Sequence, residues 1–221
     1  MNTDTQIDKP TYRVKDTALT EFVAQRISVL QAQLMKDVPD AVAVLAKLRR
    51  GVGHPAGSLP ELHAATLEGL PEPLTDPAGF SPAERDGAPT PWEQAAHDSI
   101  TLYAWHQQSK REGMHRRGAS FGTAMRVLGE QTSVEAVRRR FHALGTAAHH
   151  DARLILLRGL VSQLRAQAIP LDYGRLAQDL RRLHEHTYAH QVLLAWGRDY
   201  HRGTAIESDH TDTDTRKGED Q

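Results

Sequence analysis

The residues best equipped for chemistry are 13 histidines and 21 arginines; cysteine is absent. Histidines are densest in His184-Glu185-His186-Thr187-Tyr188-Ala189-His190. A zinc-hydrolase helix needs His-Glu-x-x-His, two ligands one turn apart with the base between them. Here Tyr188 stands where the partner of His184 would be, and no carboxylate lies between His186 and His190, so a surface or capping role is the simpler expectation. The pairs His97-Asp98 and His150-Asp151 suggest a second chemistry. All-helical phosphohydrolases of the histidine-aspartate type hold metals with such pairs on separate helices, and His54 or His63 could supply a further ligand. Asp151, however, also suits the first turn of a helix through the macrodipole alone. Gly51-Val52-Gly53-His54-Pro55-Ala56-Gly57 has its third glycine one place too late for a dinucleotide fingerprint. Neither a phosphate-binding loop nor a nucleophile elbow is present. The expectation is therefore no catalytic residue, no metal and no cofactor, with the phosphohydrolase as the enzyme alternative and a purely scaffolding helical protein as the other.

The arginines suit phosphate, because a planar guanidinium donates two parallel hydrogen bonds to its oxygens. They gather in four places. Arg49 and Arg50 follow Lys47 at the end of one helical pattern, where the dipole alone would favour cations. Lys110, Arg116 and Arg117 flank the glycine-bounded turn Gly113–Gly118. Arg138, Arg139 and Arg140 fan around the polar arc of a helix whose apolar stripe is Val134, Val137, Phe141 and Leu144. Arg158 and Arg165 lie two turns apart on one flank of another helix. Aromatic residues are only 5% of the chain. Phe22, Tyr103, Trp105, Phe141 and Trp196 fall in helical stripes, which favours core packing over a base-stacking platform. No helix-turn-helix or zinc-finger spacing supports sequence reading.

The elements that must position these residues are helices; no alternating strand of five or more residues is evident. Residues 17–36 place Leu19, Phe22, Val23, Ile27, Leu30 and Leu34 on one face. Residues 40–50 carry Val42, Leu45 and Leu48 inward, and 58–68 offer a short helix with a Ser58/Glu61 capping box. Residues 71–91 hold six prolines and two glycines, which predicts a mobile loop. Further helices are expected at 91–112, 119–130, 134–145, 149–168, 173–185 and 187–202. The fold class is thus all-α, about nine helices in two packed bundles, 14–130 and 131–203, followed by a disordered acidic tail, 204–221.

The formal net charge is −1, yet it conceals a distribution. Residues 1–50 carry +2, 51–96 carry −6, 97–202 carry +7 and 203–221 carry −4. Such asymmetry suits a polyanion-binding body with an acidic extension. No run of about 18 apolar residues exists to span a membrane. The first ten residues have no apolar core of a secretory signal, so a cytoplasmic location is expected.

Several segments, in order, resemble the CasB family, the small subunit of the type I-E CRISPR interference complex, Cascade. They are Leu45-Ala-Lys-Leu-Arg-Arg-Gly51, Leu102-Tyr-Ala-Trp-His-Gln107, Gly118-Ala-Ser-Phe-Gly-Thr-Ala-Met-Arg-Val-Leu128 and Val137-Arg-Arg-Arg-Phe-His-Ala-Leu144. Leu156-Leu-Arg-Gly-Leu-Val161, Ile169-Pro-Leu-Asp-Tyr173, Leu176-Ala-Gln-Asp-Leu180 and Trp196-Gly-Arg-Asp-Tyr200 continue it. The resemblance covers about residues 20–203 and leaves out 71–91 and the tail. It implies a non-catalytic antiviral-defence subunit, present as two copies beside the backbone and large subunits. Such a subunit contacts guide RNA and target DNA and stabilises the R-loop and displaced strand without reading sequence. The family's basic contacts carry over best to Arg49, Arg50, Arg138, Arg139, Arg140 and Arg158, whereas Lys110, Arg116, Arg117 and Arg165 rest on local charge.

Overall fold

The structure, a computed structural model, describes residues 9–147 and 149–202. The expected acidic tail lies outside the described residues. Eleven α-helices and three single 3-10 turns make up the described fold, with no strand beyond one isolated bridge between His115 and Leu171. The helices are α1 (Lys9–Leu34), α2 (Pro39–Leu48), α3 (His63–Thr66), α4 (Glu72–Thr75), α5 (Pro82–Arg85) and α6 (Pro91–His106). They continue with α7 (Phe121–Gln131), α8 (Val134–Thr146), α9 (His150–Ala166), α10 (Tyr173–Leu183) and α11 (His186–His201).

The centre of the fold is α6. Thr90 caps it through a reciprocal capping box with Glu93, and Pro91 occupies its first turn. Almost every side chain from Trp92 to His106 is buried. One side of α6 faces α10, which in turn lies along α1; α2 and α9 cover other sides. A second group is formed by α7 against α11 and α8. Packing crosses residue 130 in both directions: α7 lies against α8 and α11, and α10 lies against α1 and α6. One apolar cluster runs through both groups, from Leu19, Val23 and Ile27 of α1 to Trp196 of α11.

The first helix starts eight residues before the expected position. Its early turns are held by polar and aromatic anchors rather than by an aliphatic stripe. Tyr12 packs on Trp92 with ring centroids 5.4 Å apart. The buried Asp16 carboxylate accepts hydrogen bonds from Arg181 and Arg182 of α10. Arg181, only 1% exposed, also lies against the rings of Tyr12, Trp92 and Tyr188. A buried cation needs such company to offset its lost hydration.

Several other expectations change. On α2 the inward residues are Ala41, Leu45 and Leu48, while Val42 is 48% exposed. Val134 is likewise 55% exposed, so the α8 stripe is Val137, Phe141 and Leu144. Ser58 makes no capping box; its hydroxyl donates to Pro55 O, and a 3-10 turn leads into the single-turn α3. Residues 71–91 are not a plain loop. Pro-initiated turns form α4, a 3-10 turn and α5, the last with a Ser81–Glu84 capping box, and Leu74 is buried. The sixth helix stops at His106 rather than near 112. There Gln107 takes over: its side chain donates to the carbonyls of Lys110 and Glu112 and accepts from Met114 N–H.

Candidate nucleic-acid interface

The end of α6 and the flank of α9 place two arginines over one indole. Trp105 is half-buried, and its Nε1 donates to Ser162 Oγ at 2.8 Å. The guanidinium of Arg158 lies 4.1 Å from the ring centroid and that of Arg165 lies 5.1 Å away. Spacing of two helical turns brings both onto the same flank of α9, and the indole is what they share. Arg165 is further fixed by donating to Gln108 Oε1 at 2.8 Å and to Trp105 O at 3.4 Å. A cleft of about 330 Å³ beside it is lined by Gln108, Ser109, Lys110, Ser162 and Arg165. Arg49, at the end of α2, stands close enough to feel Arg165; burial first and that like charge second lower its pKa.

No carboxylate lies within 4.0 Å of Arg49, Lys110, Arg158 or Arg165 among the described residues. Positive charge is thus concentrated without a protein counter-ion. Stacking on Trp105 holds each guanidinium plane while leaving N–H edges open to a ligand.

The second cluster adjoins the first. Arg140 of α8 donates to Gln163 Oε1 at 3.3 Å, one residue from Ser162. Arg138 and Arg139 are exposed and have no partner among the described residues. Arg138, Arg139 and Arg140 of α8 thus form a second basic group, joined to α9 through the Arg140–Gln163 hydrogen bond. Arg50 is exposed beside Arg49. The turn at 116–117 is apart: Arg117 is held by both oxygens of Glu21 on α1, at 2.9 and 3.2 Å. Arg116 is exposed, and its backbone N–H donates to Leu171 O.

Trp105, Gln108 and Ser162 escaped sequence reasoning. Trp105 sits in an apolar stripe like its neighbours, and only the crossing of α9 over the end of α6 shows that one ring face is given to arginine. Two equally spaced arginines signalled a shared flank but not its content.

The histidine-aspartate pairs meet only through one member of each, Asp98 and His150. His97 turns to Gly51 O at 3.0 Å. Asp98, fully buried, accepts from Gln94 at 2.9 Å and pairs with His150 Nε2 at 2.9 Å. His150 stacks on His184 with centroids 4.1 Å apart. Among the described residues no three His, Asp, Glu or Cys side chains form a group able to hold a metal ion. These contacts tie α6, α9 and the end of α10 together. The side chains of His186 and Thr187 lie outside the description.

Residues 44–201 match the model of the family described as CRISPR-associated protein Cse2. The chain belongs to the Cse2 family. Among solved structures, CasB from Thermobifida fusca is 37% identical, with a TM-score of 0.71 over 83% of this chain and 98% of that one. The Cse2-family protein of Thermus thermophilus shares the fold at 24% identity and a TM-score of 0.58, over 83% and 97% of the two chains. A chain of a structure described as a CRISPR RNA-guided surveillance complex does so at 23% identity and 0.60, over 86% and 99%. No curated protein gives a significant match. No described helix of this Cse2-family chain is long and apolar enough to cross a membrane.

Proposed function

We propose that this Cse2-family chain is a non-catalytic subunit of a type I-E Cascade, holding nucleic-acid backbone rather than reading bases. The observation that carries this reading is the set of cations without counter-ions: Arg158 and Arg165 over Trp105 with Lys110 and Arg49 near Arg165, and the α8 group Arg138, Arg139 and Arg140. Phosphate is the ligand that such forks and stacked guanidinium planes suit best. Likeness of fold to a chain of an RNA-guided surveillance complex adds support. The partners on this reading are guide RNA, target DNA, the backbone and large subunits and a second copy of the chain, in the cytoplasm and away from membrane. Base pairing reads sequence in such assemblies, while protein holds the strands. The subunit would stabilise the R-loop and its displaced strand. Arg50, Arg116 and Arg117 complete the proposed contacts; Arg117 must first exchange Glu21 for phosphate.

The test is R-loop retention by the assembled complex with Arg158→Glu and Arg165→Glu in this chain. Retention should fall at least tenfold while subunit incorporation and helical content stay unchanged. Unchanged retention would remove the surface from the function. Wild-type retention should also weaken steeply with salt, each displaced counter-ion contributing to the slope. A flat response would leave the cations without a phosphate role.

A further inference from the structure

A groove of about 710 Å³ opens between α1, α2 and the segment 61–69. Phe22, Val29 and Leu30 of α1, Val44 of α2 and Ala65 of α3 give it apolar walls. Its volume falls in the range of about 300–1,000 Å³ that small-molecule sites occupy. Val29 is 49% exposed, so that wall meets solvent.

One part of the groove is a flat plate. Arg26, half-buried, lies over Phe22 with its guanidinium carbon 4.6 Å from the ring centroid. It donates to Ala64 O at 2.6 Å and to Glu68 O, which fix the guanidinium and occupy two of its N–H groups. What Arg26 still offers a ligand is its plane, and both aromatic rings and guanidinium planes are surfaces on which unstacked bases lie.

Three further polar side chains line the groove: Gln25, Lys47 and Glu61. None of them has a hydrogen bond or ion pair among the described residues. Gln25 and Glu61 can accept from N–H groups on a ring edge, which every nucleobase carries. Lys47 supplies a cation, and Arg50 follows three residues later in the 3-10 turn Arg49–Gly51. That spacing puts both on one side of the helical path. Arg50 is exposed, whereas Arg49 stands near Arg165. Apolar walls with edge acceptors, and two cations along α2, match a nucleotide with its base inside and its phosphate at the rim. An apolar peptide would fill the walls but leave Lys47 and Arg50 without a counter-charge.

We propose that this groove receives one unstacked nucleobase of the displaced single strand, laid on the Arg26–Phe22 plate with its phosphate at Lys47 and Arg50. This occupant rests on the function proposed above, although binding of a free nucleotide needs only this chain. The strand whose backbone the arginines hold is then also pinned by a base, admitted by burial and not by sequence. Salt screens such a contact less than it screens exposed phosphate pairs.

Titration of the isotope-labelled full chain with AMP should shift the amides of residues 22–30, 44–47 and 61–65 saturably. Inorganic phosphate should shift only those of 47–50. Val29→Trp adds a ring at an exposed wall position and fills the groove. It should weaken AMP at least about fivefold, the low end of what one stacked base contributes, with unchanged melting. Absence of AMP shifts in the groove, or AMP binding untouched by Val29→Trp, overturns the pocket. A labelled single strand should bind more tightly than an abasic strand of equal length, and Val29→Trp should erase the difference. Equal binding of the two strands overturns the pocket and leaves backbone holding intact. Failure to bind either strand sinks backbone holding instead, while the AMP titration still decides the pocket. Because native cysteine is absent, a Val29→Cys thiol reports the groove in the assembled complex. Target DNA should shield it from maleimide; shielding before DNA is added identifies another occupant and overturns the proposal.

Discussion

His106 and His184 are held neutral chiefly by burial, their pKa values lowered from 6.5 to about 3 and about 4. Asp179 is displaced the opposite way: burial raises its carboxyl from 3.8 to about 6, although Trp196 Nε1 donates to it at 2.7 Å. Below pH 6.5 the unfolded chain binds protons that the two folded histidines refuse, so their contribution is lost as pH falls from 6.5 towards 4. Between about 6 and 3.8 folded Asp179 instead binds a proton that the unfolded chain releases, which opposes that loss. The histidines together outweigh it, and the urea midpoint should decline from pH 7 to 4.5. Asp179→Asn keeps the acceptor for Trp196 and removes the opposing term. It should match or exceed wild-type stability at pH 8, by about 1–3 kcal/mol, and decline more steeply in acid. Equal losses at both pH values would mean that the side-chain shape, not its charge, matters. At the interface, Trp105→Leu should weaken R-loop retention about two- to fivefold by freeing the arginines it orders. The salt slope should stay unchanged, whereas Arg158→Ala should lower the slope by about 0.7–0.9.

Helices meet closely where glycine replaces a side chain. A Cβ on Gly122 of α7 would lie 2.2 Å from the carbonyl oxygen of Trp196 in α11. One on Gly174 of α10 would lie 2.6 Å from Thr20 O in α1. Either alanine substitution must push two helices apart, with an expected loss of about 1–3 kcal/mol. Gly159 is the control: nothing lies within 4 Å of its would-be Cβ on α9. Gly159→Ala should gain about 1 kcal/mol from helix propensity, and thermal melts of the three variants read all of this. Element scale is also where sequence legibility divides. Long helices with aliphatic stripes and Ser, Thr or Asp caps, such as α7, α8 and α10, were visible because local periodicity and caps coincide with burial. The start of α1 was not, because Tyr12 and Asp16 gain their meaning from Trp92 and Arg181 far along the chain. Single-turn helices in 71–91 are shorter than any period that could reveal them. The arginines were legible as a set; Trp105 as their common platform was not, since burial of one ring face leaves no trace in spacing.

For the whole molecule, a net charge of −1 describes no surface that a ligand meets. The acidic residues are concentrated at 51–96 and 203–221, and the cation clusters lie on α8, α9 and the ends of α2 and α6. Lowering the charge of the α8–α9 face should therefore change polyanion binding far more than an equal change elsewhere. Reversing exposed Arg13, on a helix that packs mainly on α2, α4, α6 and α10, should leave R-loop retention within about twofold. The tie between Asp16 and Arg181 joins positions 165 residues apart. On a ribosome adding about 5–20 residues per second, α1 would emerge roughly 10–30 s before its partner α10. Throughout that interval the side of α1 that α10 will cover stays open, although α2, α4 and α6 emerge earlier, so synthesis, not the finished fold, is when that side is exposed to other chains.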